Sequence, residues 1–96
     1  MFSIKITQSA KTDLIKILKY TLTEYGEGQW RTYGALIEET FTLISKNPSI
    51  GHQRTDMPNY CLAWAMGSHF VIYNIENQTI YILRVLHNKM NFLLNF

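Results

Sequence analysis

The sequence predicts a single α+β domain over residues 1–96. An N-terminal strand and an antiparallel helical hairpin come first, then a three-stranded antiparallel meander, in the order β-α-α-β-β-β. The main observation is the hydrophobic period, which is two up to Thr7, becomes helical from Gln8, and returns to two after Asn59. Glycine and proline fall where the period breaks, at Gly26, Gly28, Pro48, Gly51, Pro58 and Gly67. Finally, 96 residues leave room for only one core.

In Phe2–Thr7, the residues Phe2, Ile4 and Ile6 alternate with polar neighbours, as a strand does. Over 8–26, Ala10, Leu14, Ile17, Leu18, Thr21 and Tyr25 recur at three and four and predict one helical face. Gly26 and Gly28 make the connection. A second stripe over 28–47 follows, through Trp30, Tyr33, Leu36, Ile37, Phe41 and Ile44. Asn47-Pro48 ends it, because proline disfavours helix in the residue before it. Residues 49–59 read as a loop, and 60–66, 69–74 and 79–85 as strands. Gly67-Ser68 suits a two-residue type II′ turn, and 75–78 is a second turn. The tail, 87–96, reads equally as a short helix or an extended segment. Leu14, Ile17, Leu36, Phe41, Val71, Ile72, Ile80 and Ile82 are the expected core.

Apolar residues make up 47% of the chain, a globular proportion, but charged residues only 17%. From Tyr60 onward the charged side chains are Glu76, Arg84 and Lys89 alone. A helical hairpin covers one face of a sheet, so the other face is expected to stay open unless a protein partner covers it. The net charge of +2 gives no reason to expect sequence-specific DNA binding by this chain alone. A single cysteine excludes an internal disulfide, and Cys61 is expected to be a packed core thiol. No apolar run is long enough for a membrane span and no signal-peptide pattern opens the chain, so a cytoplasmic protein is expected.

The chemistry-bearing residues form no metal-ligand cluster, phosphate-binding glycine loop or nucleophile elbow, and no cofactor is expected. The inventory suits only metal-free RNA cleavage, with Arg54, His69, Arg84, His87 and Lys89 as parts, and no periodicity brings any two of them together. Each has a plainer reading: His69 flanks a turn, Arg84 pairs with a helix carboxylate, and His87 faces water. Asp13, Glu38 and Glu39 read as solvated helix charges or ion-pair partners. Trp30 and Trp64 read as core anchors. No catalytic residue is assigned.

Several segments resemble the ParE toxins of the ParE/RelE superfamily of bacterial type II toxin–antitoxin systems. Arg84-Val85-Leu86-His87-Asn88-Lys89-Met90 is similar to the closing R-V-L-H-x-x-M-D signature. Asp13-Leu14 with Ile17 and Tyr20 resembles the first-helix pattern. Tyr25-Gly26 with Gln29 and Tyr33 resembles the hairpin turn. Asn47-Pro48-Ser49-Ile50-Gly51 resembles the N-P-x-x-G loop, and Gly67-Ser68-His69 with Val71, Ile72 and Tyr73 the G-S-H-x-I-x-Y hairpin. The resemblance implies a RelE/ParE-like fold and a toxin neutralised by a cognate antitoxin. ParE-type members poison DNA gyrase and RelE-type members cleave mRNA on the ribosome; the ending here is ParE-like, which puts gyrase first and mRNA second. It also implies target contacts at Arg84, His87, Lys89 and Met90, and antitoxin contacts at Lys11, Lys16, Lys19, Trp64 and Phe70. In two places the chain departs from the pattern: Asn91 stands at the signature's usual Asp, and Cys61-Leu62 where an Arg commonly enters the hairpin strand. Each departure removes charge from the face expected to meet a target, which adds a detoxified antitoxin-binding module as a third reading.

Overall fold

The computed structural model describes residues 2–95. Met1 and Phe96, the ends of the expected domain and, for Phe96, of its tail, lie outside the described residues. The elements are β1 (Ser3–Ile6), α1 (Gln8–Tyr25), α2 (Glu27–Lys46), β2 (Leu62–Met66), β3 (His69–Glu76) and β4 (Thr79–His87). Short 3-10 turns lie at Pro48–Ile50 and Phe92–Asn95, so the tail is a single helical turn. The order is the one the periodicity predicts.

Thr7 caps α1, its hydroxyl accepting from the Ala10 N–H at 3.2 Å. The same hydroxyl lies 2.9 Å from the Ile82 carbonyl and 3.0 Å from that of Leu83, which ties the helix start to β4. One residue, Gly26, joins the helices; its φ of 87° is open to glycine at little cost. Gly28 lies inside the first turn of α2 rather than in the connection.

The sheet order is β1-β4-β3-β2. The meander is antiparallel as expected, but β1 joins β4 in parallel. The reason is a contact distant in sequence: Thr7, which follows β1, meets the Ile82 and Leu83 carbonyls of β4, and this aligns β1 with β4. Gly67 has φ 59° and Ser68 does not have positive φ, as a type II′ turn requires. Asn77 has φ 56°, and the expected 75–78 turn is compressed to two residues, which extends β3 to Glu76; β4 begins at Thr79 as expected and runs on to His87.

The register shifts between Ile72, opposite Arg84, and Tyr73, opposite Ile82, so Leu83 is the extra residue of a bulge. Ile80 and Ile82 face the helices, and beyond the bulge Val85 does too. The helix-side core also takes Ala10, Ile44, Val71 and Tyr73, with Leu14, Ile17, Leu36 and Phe41 packed against it. Tyr73 is fully buried; its hydroxyl donates to the Pro48 carbonyl at 2.6 Å and accepts from the Gly51 N–H at 3.0 Å.

The opposite face is not open, contrary to the sequence-based expectation. Met57, Cys61 and Phe92 fold over it and bury Ala63, Ile72 and Leu86. Arg54 lies over the Phe92 ring, 4.2 Å from its centroid, and pairs with Asp56 at 2.7 Å. Two covered faces account for the low charge of the second half without any partner. Cys61 is packed as expected, and burial pushes its thiol pKa up. Trp30, by contrast, is no core anchor; it is 38% exposed, and Tyr25 on the first stripe is 67% exposed.

Candidate functional site

The β2–β3 turn, the end of β4 and the Gly26 end of the helical hairpin enclose a cleft of about 510 Å³. Its walls include Lys16, Tyr20 and Tyr25 from the α1 side, Tyr33 from α2, and Ser68, His69 and His87 from the sheet. Gly67 sits so close to α2 that an added Cβ would lie 2.9 Å from Tyr33 Cε1. This contact holds the turn against the helix and brings His69 to Tyr33.

Hydrogen bonds fix the roles of the ring nitrogens. The Tyr33 hydroxyl donates to the Met66 carbonyl at 3.0 Å. A carbonyl can only accept, so the single hydroxyl proton is committed there. The Tyr33 oxygen is 2.5 Å from His69 Nδ1 and therefore accepts from it. This assigns the Nδ1–H form to His69 and leaves Nε2 with a free lone pair. His87 is the reverse. The Lys89 N–H donates to its Nδ1 at 3.2 Å, which places the ring proton on Nε2.

His69 and His87 are cross-strand neighbours in register, with ring centroids 5.2 Å apart and planes at 87°. Burial lowers the His69 pKa, His87 lowers it further, and the Asp13 carboxylate opposes both. Burial also raises the Tyr33 pKa, against the stabilising Ser68 backbone. At neutral pH His69 is therefore an uncharged acceptor. Tyr20 and Tyr25 meet edge to face with centroids 6.2 Å apart and form an aromatic wall.

The sequence-predicted residues divide among several places. His69 and His87 come together, and Lys16 lines the same cleft. Arg84 is elsewhere: Nε and Nη2 donate to Asp13 Oδ2 and Oδ1 at 2.8 and 2.9 Å, and Nη1 donates to the Asn95 carbonyl. Asp13 also accepts from the Val85 N–H at 2.9 Å, so it is a strut between α1 and β4 rather than a solvated charge. Lys89 and Met90 are exposed just beyond β4. Lys11, Lys16 and Lys19 are exposed along α1. Trp64 packs on the helix-side face and stacks on His52, whereas Phe70 packs on the opposite face against Phe92. These last two share no surface. Sequence reasoning missed Tyr20, Tyr25 and Tyr33 as cleft walls; the available signal was the place of Tyr25 and Tyr33 at the Gly26 end of the two stripes, with Tyr20 one turn back on α1. No described helix is long and apolar enough to cross a membrane.

The family described as "ParE toxin of type II toxin-antitoxin system, parDE" matches residues 4–92. The chain belongs to the ParE toxin family. Its fold is similar to that in the chromosomal ParDE system from P. aeruginosa, at 19% identity over 91% of this chain and 96% of that one, with a TM-score of 0.77. It is also similar to the RelBE2 toxin–antitoxin complex from Mycobacterium tuberculosis, at 23% identity over 91% and 98% of the two chains, with a TM-score of 0.66. A copper-bound mutant toxin from Helicobacter pylori is similar at 14% identity over 92% and 96%, with a TM-score of 0.62. No curated protein sequence matches significantly. As a ParE-family member the chain is a type II toxin of the ParE/RelE kind, and both the signature through Met90 and the G-S-H hairpin stand at one end of its sheet.

Proposed function

We propose that this toxin acts in the cytoplasm by binding DNA gyrase, and that a cognate antitoxin neutralises it. The observation that carries the target reading is the surface just past β4. There Met90, Leu93 and Leu94 are 48%, 67% and 81% exposed, next to the exposed cation Lys89. Exposed apolar side chains clustered at one chain end, with a single charge at the rim, suit a protein partner. Arg84 holds this segment from behind, since it binds Asp13 and the Asn95 carbonyl together. Arg84 therefore shapes the contact surface rather than touching the target, and His87 sits at its base.

The antitoxin reading rests on family membership and on the similar ParDE and RelBE2 systems, in which toxin and antitoxin occur together. The sheet faces are already covered, so the antitoxin's place is the outer side of the hairpin. Exposed Ile15 and Leu22 lie there with Lys11 and Lys19, and suit an amphipathic segment with acidic flanks.

The test uses immobilised, antitoxin-free chain and purified gyrase on a biosensor. Binding is expected, and Met90→Asp and Leu94→Asp should each weaken it at least tenfold while the circular-dichroism spectrum stays unchanged. Absence of binding, or binding indifferent to both changes, would contradict the reading.

A further inference from the structure

The cleft between the helical hairpin and the sheet presents a free acceptor and a free donor side by side. Tyr33 commits its own proton to the Met66 carbonyl and accepts from His69 Nδ1, so His69 Nε2 is a bare lone pair. The Lys89 N–H donates to His87 Nδ1, so His87 Nε2 carries the proton. Among the described residues the one buried polar side-chain atom without a partner is Asn74 Oδ1. Both Nε2 atoms lack a partner too, and they therefore reach solvent. The rings stand on neighbouring strands with centroids 5.2 Å apart, so one small group can bridge them. Burial and His87 lower the His69 pKa while Asp13 opposes them, which keeps the acceptor uncharged at neutral pH.

This pairing selects among ligand groups. A carboxylate has only acceptors, and one of its oxygens would face the His69 lone pair. An ammonium or guanidinium has only donors and would meet both His87 Nε2–H and Lys16. A metal ion could take His69 Nε2, but His87 Nε2 would first have to lose its proton, and a proton moved to Nδ1 would point at the Lys89 N–H. A neutral amide has one donor and one acceptor. The imidazole planes cross at 87°, which favours an amide that can twist about the bond to its ring. An exocyclic carboxamide can twist; the amide edge of a lactam is locked in its ring plane. Tyr20 and Tyr25, edge to face with centroids 6.2 Å apart, give the cleft an aromatic wall, and its volume of about 510 Å³ is in the range of small-ligand sites. We propose that the cleft binds a small aromatic primary carboxamide: its N–H donates to His69 Nε2, its carbonyl accepts from His87 Nε2–H, and its ring lies on the Tyr20–Tyr25 wall. Tyr33 sets the selectivity without touching the ligand, because it holds the His69 tautomer. The inference goes beyond the gyrase reading and does not rest on it.

The experiment uses the full, antitoxin-free chain labelled with ¹⁵N, and benzamide as the probe. A two-bond ¹H–¹⁵N spectrum at neutral pH should show the proton on Nδ1 of His69 and on Nε2 of His87. Benzamide should shift the Nε2 resonances of both rings and saturate with a Kd of about 1 mM or tighter. Acetophenone keeps the ring and carbonyl but has a methyl where the amide nitrogen stands. It should bind about fivefold to tenfold more weakly, the value of one hydrogen bond. Uracil, whose amide edge is fixed in its ring, should also bind more weakly than benzamide. Tyr33→Phe keeps both imidazoles but releases the His69 proton from Nδ1, so the advantage of benzamide over acetophenone should shrink to about twofold or less. The comparison of ligands on the unaltered chain stands whether or not that variant folds. A proton on His69 Nε2, equal affinity for benzamide and acetophenone, uracil binding as tight as benzamide, or no saturable shift up to about 10 mM benzamide would overturn the proposal.

Discussion

Replacing Asp13 by Ala removes the acceptor of three hydrogen bonds at once, two from Arg84 and one from the Val85 N–H. Val85 is 3% exposed, so its amide cannot readily recruit water. An unsatisfied buried N–H costs about 1–3 kcal/mol. Breaking a fully buried ion pair costs about 3–5 kcal/mol, much of it from the stranded charge. Here the Arg84 side chain is 25% exposed and that of Asp13 13%, so the guanidinium can turn toward solvent and the ion-pair part shrinks to ~1–2 kcal/mol. The sum is ~2–5 kcal/mol, a large share of the stability of a domain this size. Equilibrium urea unfolding should show a lower midpoint with an unchanged slope. Asp13→Asn retains an oxygen for the Val85 N–H and should lose roughly half as much. A double-mutant cycle with Arg84→Ala should give a coupling of ~1–3 kcal/mol. A loss under ~0.5 kcal/mol for Asp13→Ala, or strict additivity with Arg84→Ala, would refute the strut.

Further outcomes follow from the same packing. Tyr73→Phe leaves the Pro48 carbonyl and the Gly51 N–H without their partner, and should lower the urea-derived stability by ~1–3 kcal/mol. Phe92→Ala opens the second core, where Phe92 is 1% exposed, and should cost about 3–5 kcal/mol while exposing Cys61 to thiol reagents. His69 has a folded pKa below its ordinary 6.5, so below that pH the unfolded chain binds a proton the folded one resists. Stability present above pH 6.5 should therefore fall on acidification toward the lowered value, and His69→Gln should flatten this part of the pH–stability curve.

The element order was legible because each element buries one stripe, and a stripe prints its period on the sequence. Ala10, Leu14 and Ile17 show this for α1, and Ile80 and Ile82 for β4. What stayed hidden depended on distant partners. No local pattern announces the Leu83 bulge, which turns Val85 inward and lets Arg84 reach Asp13. The covered second face rests on Met57, Cys61 and Phe92, which come from a loop, a strand flank and the tail, and share no period. The parallel pairing of β1 is set by the Thr7 contact with β4, 75 residues away. The site was legible in its parts but not in its assembly. His69 and His87 were visible as residues; their adjacency follows from cross-strand register, and their opposite tautomers from Tyr33 and the Lys89 amide.

The central claim is that this ParE-family chain disables gyrase and that its antitoxin reverses the effect. The direct measurement is a supercoiling assay on relaxed plasmid, with purified gyrase, ATP and rising amounts of the antitoxin-free chain. Supercoiling should fall as the chain is added, should be restored by an equimolar amount of antitoxin, and should be spared when Met90→Asp replaces the unaltered protein. Undiminished supercoiling at a large molar excess of folded, antitoxin-binding chain would contradict the claim.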